Sequence, residues 1–217
     1  MTAIIAIVKR MLASNKISFI ITAAVVFCAT TSGDSAIALS NGNYTWLLAI
    51  MTPFFFVYYD YTKLMHLGMS KKDYFIGSLI SYSLLAIIIS TVNTAIHLLI
   101  DPLNQTQTVV NLMSLCGWTK NGLFIAFFQQ TCFLFLIMVF LHVLLTMQPY
   151  WYGWLTDGVL VAIICIFTPI APLRHILAGF FKIIMMNSHA LPHIFVCLLL
   201  SAILSGIGLV VLKRKTL

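Results

Sequence analysis

Residues 58–77 read YYDYTKLMHLGMSKKDYFIG and hold Asp60, Lys63, Lys71, Lys72 and Asp73, in a chain of 217 residues with twelve basic and five acidic side chains. The flanking sequence is almost free of charge, so the cluster marks where the chain leaves an apolar environment. Its local code is that of two helices joined by an elbow. Gly68 can adopt the left-handed conformation that closes a helix. Ser70 with Asp73 forms an S-x-x-D capping box, the serine hydroxyl accepting a backbone N–H of the next helix. One helix should therefore end near Leu67 and another begin at Ser70, leaving Lys63, His66, Met69 and Lys71 on a protruding surface. The residues allow two readings: a basic loop that only fixes membrane topology, or a compact surface on which a cytoplasmic protein docks.

Working outward, 61% of the residues are hydrophobic and 8% charged, against about 25% charged in ordinary soluble domains. The expected fold is an all-α integral membrane protein forming a single domain over 1–217. Spans of about 20 apolar residues cross ~30 Å of hydrocarbon, and six transmembrane helices can be drawn, at 17–39, 44–59, 74–100, 118–147, 154–173 and 191–212. The first is interrupted by Ser32, Gly33 and Asp34. With both termini cytoplasmic, Lys9, Arg10, Lys16, Lys63, Lys71, Lys72, Lys213, Arg214 and Lys215 lie inside and Lys120, Arg174 and Lys182 outside, which satisfies the positive-inside rule. The loop at 148–152 carries no base; Pro149, Tyr150, Trp151, Tyr152 and Trp154 read as an interfacial aromatic belt.

Residues 1–16 are apolar before they are basic, the reverse of a signal peptide. Positions 2–13 fit an interfacial helix, with Ile4, Ile5, Val8, Met11 and Leu12 entering lipid and Lys9, Arg10 and Lys16 meeting anionic headgroups. Near the other end, Thr168-Pro169 and Ala171-Pro172 break the fifth span. The run LRHILAGFFKIIMM then places Leu173, Ile176, Leu177, Phe180 and Ile184 at helical spacing, so 173–190 is expected as an outer segment, either re-entrant or lying on the surface.

Several chemistries find no support. No C-x-x-C links the five cysteines. His189 and His193 share i, i+4 spacing, but Pro192 stands between them and no carboxylate is near, so no metal site is expected. The chain has no glutamate, no nucleophile elbow and no phosphate loop, so no catalytic residue, bound cofactor or enzyme activity of its own is expected. Asn93, Gln129 and Gln130 are the polar residues well inside spans; they either hydrogen-bond between helices or line a possible translocation path. If the protein pumps, the energy must come from a partner.

The order of interfacial helix, six spans, helical elbow after the second span and a segment before the sixth resembles the ABC-2 type permeases of bacterial ATP-binding-cassette exporters, including peptide, lantibiotic-immunity and phenol-soluble modulin exporters. LMHLGMSKKDYFIG is similar to that family's leucine-glycine-x-serine-arginine-lysine-x-phenylalanine-phenylalanine-x-glycine pattern, with Lys71 in place of the usual arginine. The resemblance implies that 60–73 is a coupling segment, with 64–70 as a helix that docks on an ATPase. Tyr61, Lys63, Leu64, His66, Leu67, Gly68, Met69, Ser70, Lys71 and Lys72 would form the docking site. It also implies ATP and Mg on that partner subunit, a second copy of this chain or a related permease, and a hydrophobic or amphipathic substrate, peptide or lipid-like, exported across the bacterial cell membrane. Membrane lipid is a further expected partner and nucleic acid is not. The rival classes are a non-transporting membrane immunity or scaffold protein and an ion-coupled secondary carrier.

Overall fold

The computed structural model describes residues 5, 8–10, 12–13, 15–28, 37–103 and 108–214. Of the interfacial helix expected at 2–13, residues 5, 8–10, 12 and 13 are described and helical, and the others lie outside the described residues; Val8 is buried and Lys9 and Arg10 are exposed. Nine helices follow in the described chain: α1 (Lys16–Cys28), α2 (Trp46–Phe54), α3 (Tyr61–His66), α4 (Lys71–Leu99), α5 (Leu112–Leu115), α6 (Leu123–Met147), α7 (Trp151–Phe167), α8 (Ala171–Ile184) and α9 (Ala190–Arg214). Among the described residues, three helical stretches are long and apolar enough to cross a membrane: Lys71–Leu103, which contains α4, then α6 and α9. The protein is thus helical with membrane-protein character.

α6 is the hub. It packs against α9, α4 and α2, and its composition explains why: nearly every position is apolar, so no face is committed to water. Alanine and glycine set how closely the partners approach. A Cβ built on Gly208 of α9 would lie 2.8 Å from Phe75 Cζ and 2.9 Å from Val143 Cγ2, so the bare backbone lets α9 seat against α4 and α6 together, as small residues do between membrane helices.

The helical segment drawn as a span at 44–59 is longer and less regular than its sequence suggests. α2 carries Pro53, a π-helical segment occupies Phe55–Asp60, and α3 continues directly from it. Proline removes one donor from the ladder, and in a bilayer the freed carbonyls still need partners. Further along, Tyr74 Oη donates at 2.7 Å to the Phe56 carbonyl, which also accepts the Tyr61 N–H of the π-helical stretch. The resulting helical rod from Trp46 to His66 is comparable with the ~20 residues of a bilayer crossing.

Two expectations are corrected. The span drawn at 17–39 is not one helix: α1 covers Lys16–Cys28 among the described residues, and Ile37–Leu39 is a strand (β1). It pairs in parallel with Thr108–Val110 (β2), Ile37 against Thr108 and Leu39 against Val110; the β-branched triplet of β2 suits a pleated partner. The span drawn at 154–173 instead begins at Trp151 and ends at Phe167, since Pro169 cannot continue the ladder. Pro172 opens α8 in its first turn, where a missing N–H costs nothing. Of the stripe expected on α8, Leu173, Leu177 and Ile184 turn toward the protein, whereas Ile176 and Phe180 face outward.

Two cores stack along the bundle. At the elbow end, Phe56, Tyr61, Leu64, Tyr74, Phe75 and Tyr82 gather with Val143 and Leu212. At the opposite end, where the strands lie, Trp118 is fully buried among Met113, Cys116, Phe133 and Cys197, and stacks on Trp46 at a ring separation of 6.3 Å.

Candidate functional site

The elbow between α3 and α4 is built by two interlocking caps. The Gly68 N–H donates to the Met65 carbonyl at 3.0 Å and the Met69 N–H to the Leu64 carbonyl at 3.2 Å. Gly68 sits at φ +80°. These are the bonds of a Schellman closure, which also brings the residue after the glycine against the last turn; Met69 accordingly packs against the elbow-end core, to which Leu64 belongs. One residue later Ser70 restarts the helix: its Oγ accepts the Asp73 N–H at 3.0 Å and donates to Asp73 Oδ2 at 2.7 Å. The chain therefore reverses with almost no loose backbone, and the expected glycine closure and serine cap are both present.

The expected docking residues divide by burial. Tyr61 and Leu64 are 3% and 2% exposed and root the elbow in the core. Met69 and Lys71 are half-buried, while Lys63, His66, Leu67, Gly68, Ser70 and Lys72 are exposed. Leu67 stands out, an apolar side chain at the tip with 64% of its surface accessible. Lys63 Nζ lies 3.4 Å from the centroid of the Tyr59 ring, a cation–π contact that fixes the lysine against the helix. Lys71 Nζ donates to the Lys213 carbonyl at 3.2 Å, placing a cation at the negative end of α9.

The rest of this end of the molecule is also basic and aromatic. Lys213 and Arg214 occupy the last turn of α9, and Tyr150 Oη donates to the Arg214 carbonyl at 3.2 Å. Tyr150 stacks on Tyr152 at 5.0 Å, while Trp151 and Trp154 are exposed. The aromatic belt thus borders the same end as the elbow. The sequence carried the belt and the elbow separately; their adjacency needs the return of α9.

Asn93, Gln129 and Gln130 are all fully buried but are not joined in one network. Asn93 Oδ1 accepts from Asn111 Nδ2 at 2.9 Å. Asn111 Nδ2 also donates to Ser40 Oγ at 3.2 Å, and Ser40 Oγ donates to Asp101 Oδ1 at 2.8 Å. His97 Nδ1 lies 2.9 Å from Asp101 Oδ2. This polar clamp fastens the segment after β1 to the end of α4 and to the start of α5. Asn43 completes it, donating to the Val110 carbonyl and accepting the Leu112 N–H. Gln129 instead donates to the Asn187 carbonyl at 3.2 Å, and Gln130 lies beside it on α6 with neither amide atom hydrogen-bonded.

Sequence reading missed this clamp, as its members are spread from Ser40 to Asn111 and include no motif. It also missed the buried pair Tyr82 Oη and His142 Nδ1, 2.7 Å apart. No group of three or more potential metal ligands occurs among the described residues. The chain matches no family model, no curated protein and no solved structure among those it was compared with.

Proposed function

We propose that this chain is the membrane-embedded permease subunit of an exporter, and that the elbow at 64–70 docks on a separate ATPase that supplies the energy. The observation that carries the reading is the elbow itself: a doubly capped, rigid reversal rooted by Tyr61 and Leu64, presenting Leu67 between Lys63, His66 and Lys72. A loop that only fixed topology would need the charges but neither cap nor an apolar tip. Rigid anchoring is what a lever needs, because a docked helix transmits motion to α4 only if little backbone lies between them. The chain has no phosphate loop of its own, so ATP and Mg belong to the partner. Six crossings, both termini cytoplasmic and pairing with a second permease copy complete the proposal, and the abundance of Phe, Met, Leu and Ile suits a hydrophobic or amphipathic passenger, a peptide in the first instance.

Gly68→Val tests the assignment. A Cβ at Gly68 meets nothing within 4 Å, so the substitution acts through backbone strain alone, of order 1–3 kcal/mol. The expected variant inserts in the membrane, recovers less ATPase on pull-down and exports less substrate. Normal ATPase recovery and normal export by the inserted variant would remove the elbow from the coupling role.

A further inference from the structure

A cavity of ≈ 350 Å³ lies between α1 and α4, with the start of α2 as its floor. Phe19, Ala23 and Val26 form one wall and Ile88, Val92 and Ile96 the other. Each set recurs at helical spacing, so two continuous apolar stripes face one another across the gap. Ile88 and Val92 are also exposed, which opens the cavity sideways as a groove rather than sealing it.

Its dimensions and place identify the occupant. The α4 wall runs from Ile88 to Ile100, ~18 Å at 1.5 Å per residue. That is close to half of the ~30 Å hydrocarbon thickness, and the groove begins midway along α4 and ends at the strand end. A volume of ≈ 350 Å³ spread over that length makes the cavity long and narrow, a shape that suits an extended hydrocarbon chain. Polar atoms are confined to Thr22, Asn41 and Thr45.

We propose that this groove holds one acyl chain of a membrane glycerolipid from the leaflet at the strand end. The chain lies between α1 and α4, along the two apolar stripes. α1 contacts mainly α2 and the turn at Asn41–Thr45, so a lipid chain in the groove packs between it and α4. This inference does not rest on the transport reading.

The test uses the full chain reconstituted in phosphatidylcholine vesicles whose acyl chain carries a diazirine, followed by irradiation and peptide mapping. Photoadducts on Ala23 and Val92 should exceed those on the lipid-facing Leu199 and Ile203 of α9 at least threefold. Ala23→Trp and Val92→Trp, which fill the groove from opposite walls, should each abolish that excess, and Leu199→Trp should leave it intact. Equal labelling of the two sets in the wild-type chain, or an excess that survives both filling substitutions in inserted protein, overturns the proposal. The wild-type comparison decides even if one filled variant does not fold.

Discussion

At the scale of single residues, the packing makes opposite demands on two glycines of one helix. Gly208 touches Phe75 and Val143 through the space a side chain would take, whereas a Cβ on Gly206 meets nothing within 4 Å. Gly208→Val is expected to destabilise the protein by ~1–3 kcal/mol through overpacking. Gly206→Ala should be neutral or stabilise it by up to ~1 kcal/mol, the helix-propensity difference. Thermal unfolding of both variants in one detergent checks the pair, and equal effects would contradict the described seating of α9. Cys116 gives a second residue-level outcome. Burial pushes its thiol from 9.0 up to about 11, because an anion there would lose its hydration. The protonated thiol therefore makes its full contribution to stability below pH 9.0 and loses it as the pH rises toward 11. In mild detergent near neutral pH, maleimide should modify the exposed Cys28 and Cys165 while Cys116 and Cys197 stay protected; rapid modification of Cys116 would mean that the strand-end core is open.

Among elements, what could be read in advance depended on how local the determinants were. The elbow was legible because Gly68, Ser70 and Asp73 lie within a stretch of six residues, and the long helices were legible from apolar length. The breaks at Pro169 and Pro172 were visible, but the resumption of helix at Ala171 shifted the boundary. The π-helical stretch after Pro53 carried only a weak signal, a proline inside an apolar run. The β1–β2 pairing carried none, because parallel strands find each other across the whole of α4 and their register is set by tertiary contacts. The polar clamp has the same origin. Its centre, Asn111, is fully buried and bonds both Asn93 and Ser40. Asn111→Ala should leave those partners unsatisfied and cost ~1–3 kcal/mol, together with faster proteolysis near Leu103 in the folded protein. An unchanged melting temperature and cleavage pattern would show that the clamp does not hold the strands to α4.

For the whole molecule, charge and aromatic residues sort along the bundle axis. α4 leaves the elbow at Lys71 and reaches the other end at Leu99, and α9 returns to bring Lys213 and Arg214 beside Lys71. Lys63, Lys71, Lys72, Lys213 and Arg214 thus share one end with the exposed Trp151 and Trp154, while Lys120 lies toward the strand end and Arg174 and Lys182 lie on α8, whose Ile184 packs in the strand-end core. Basic residues near span ends resist translocation, so this asymmetry favours an elbow on the cytoplasmic side, where an ATPase partner would meet it. In a background from which the five native cysteines have been removed, Lys72→Cys should react with an impermeant maleimide only after the membrane is opened. Leu103→Cys, 77% exposed at the far end, should react in intact cells. The two positions bracket α4, so a single crossing places them on opposite sides whichever way the chain is inserted. Reaction of both in intact cells would exclude α4 as a span. A reversed pattern would keep the span but put the elbow outside, beyond the reach of any cytoplasmic ATPase, and the permease assignment would fail with it.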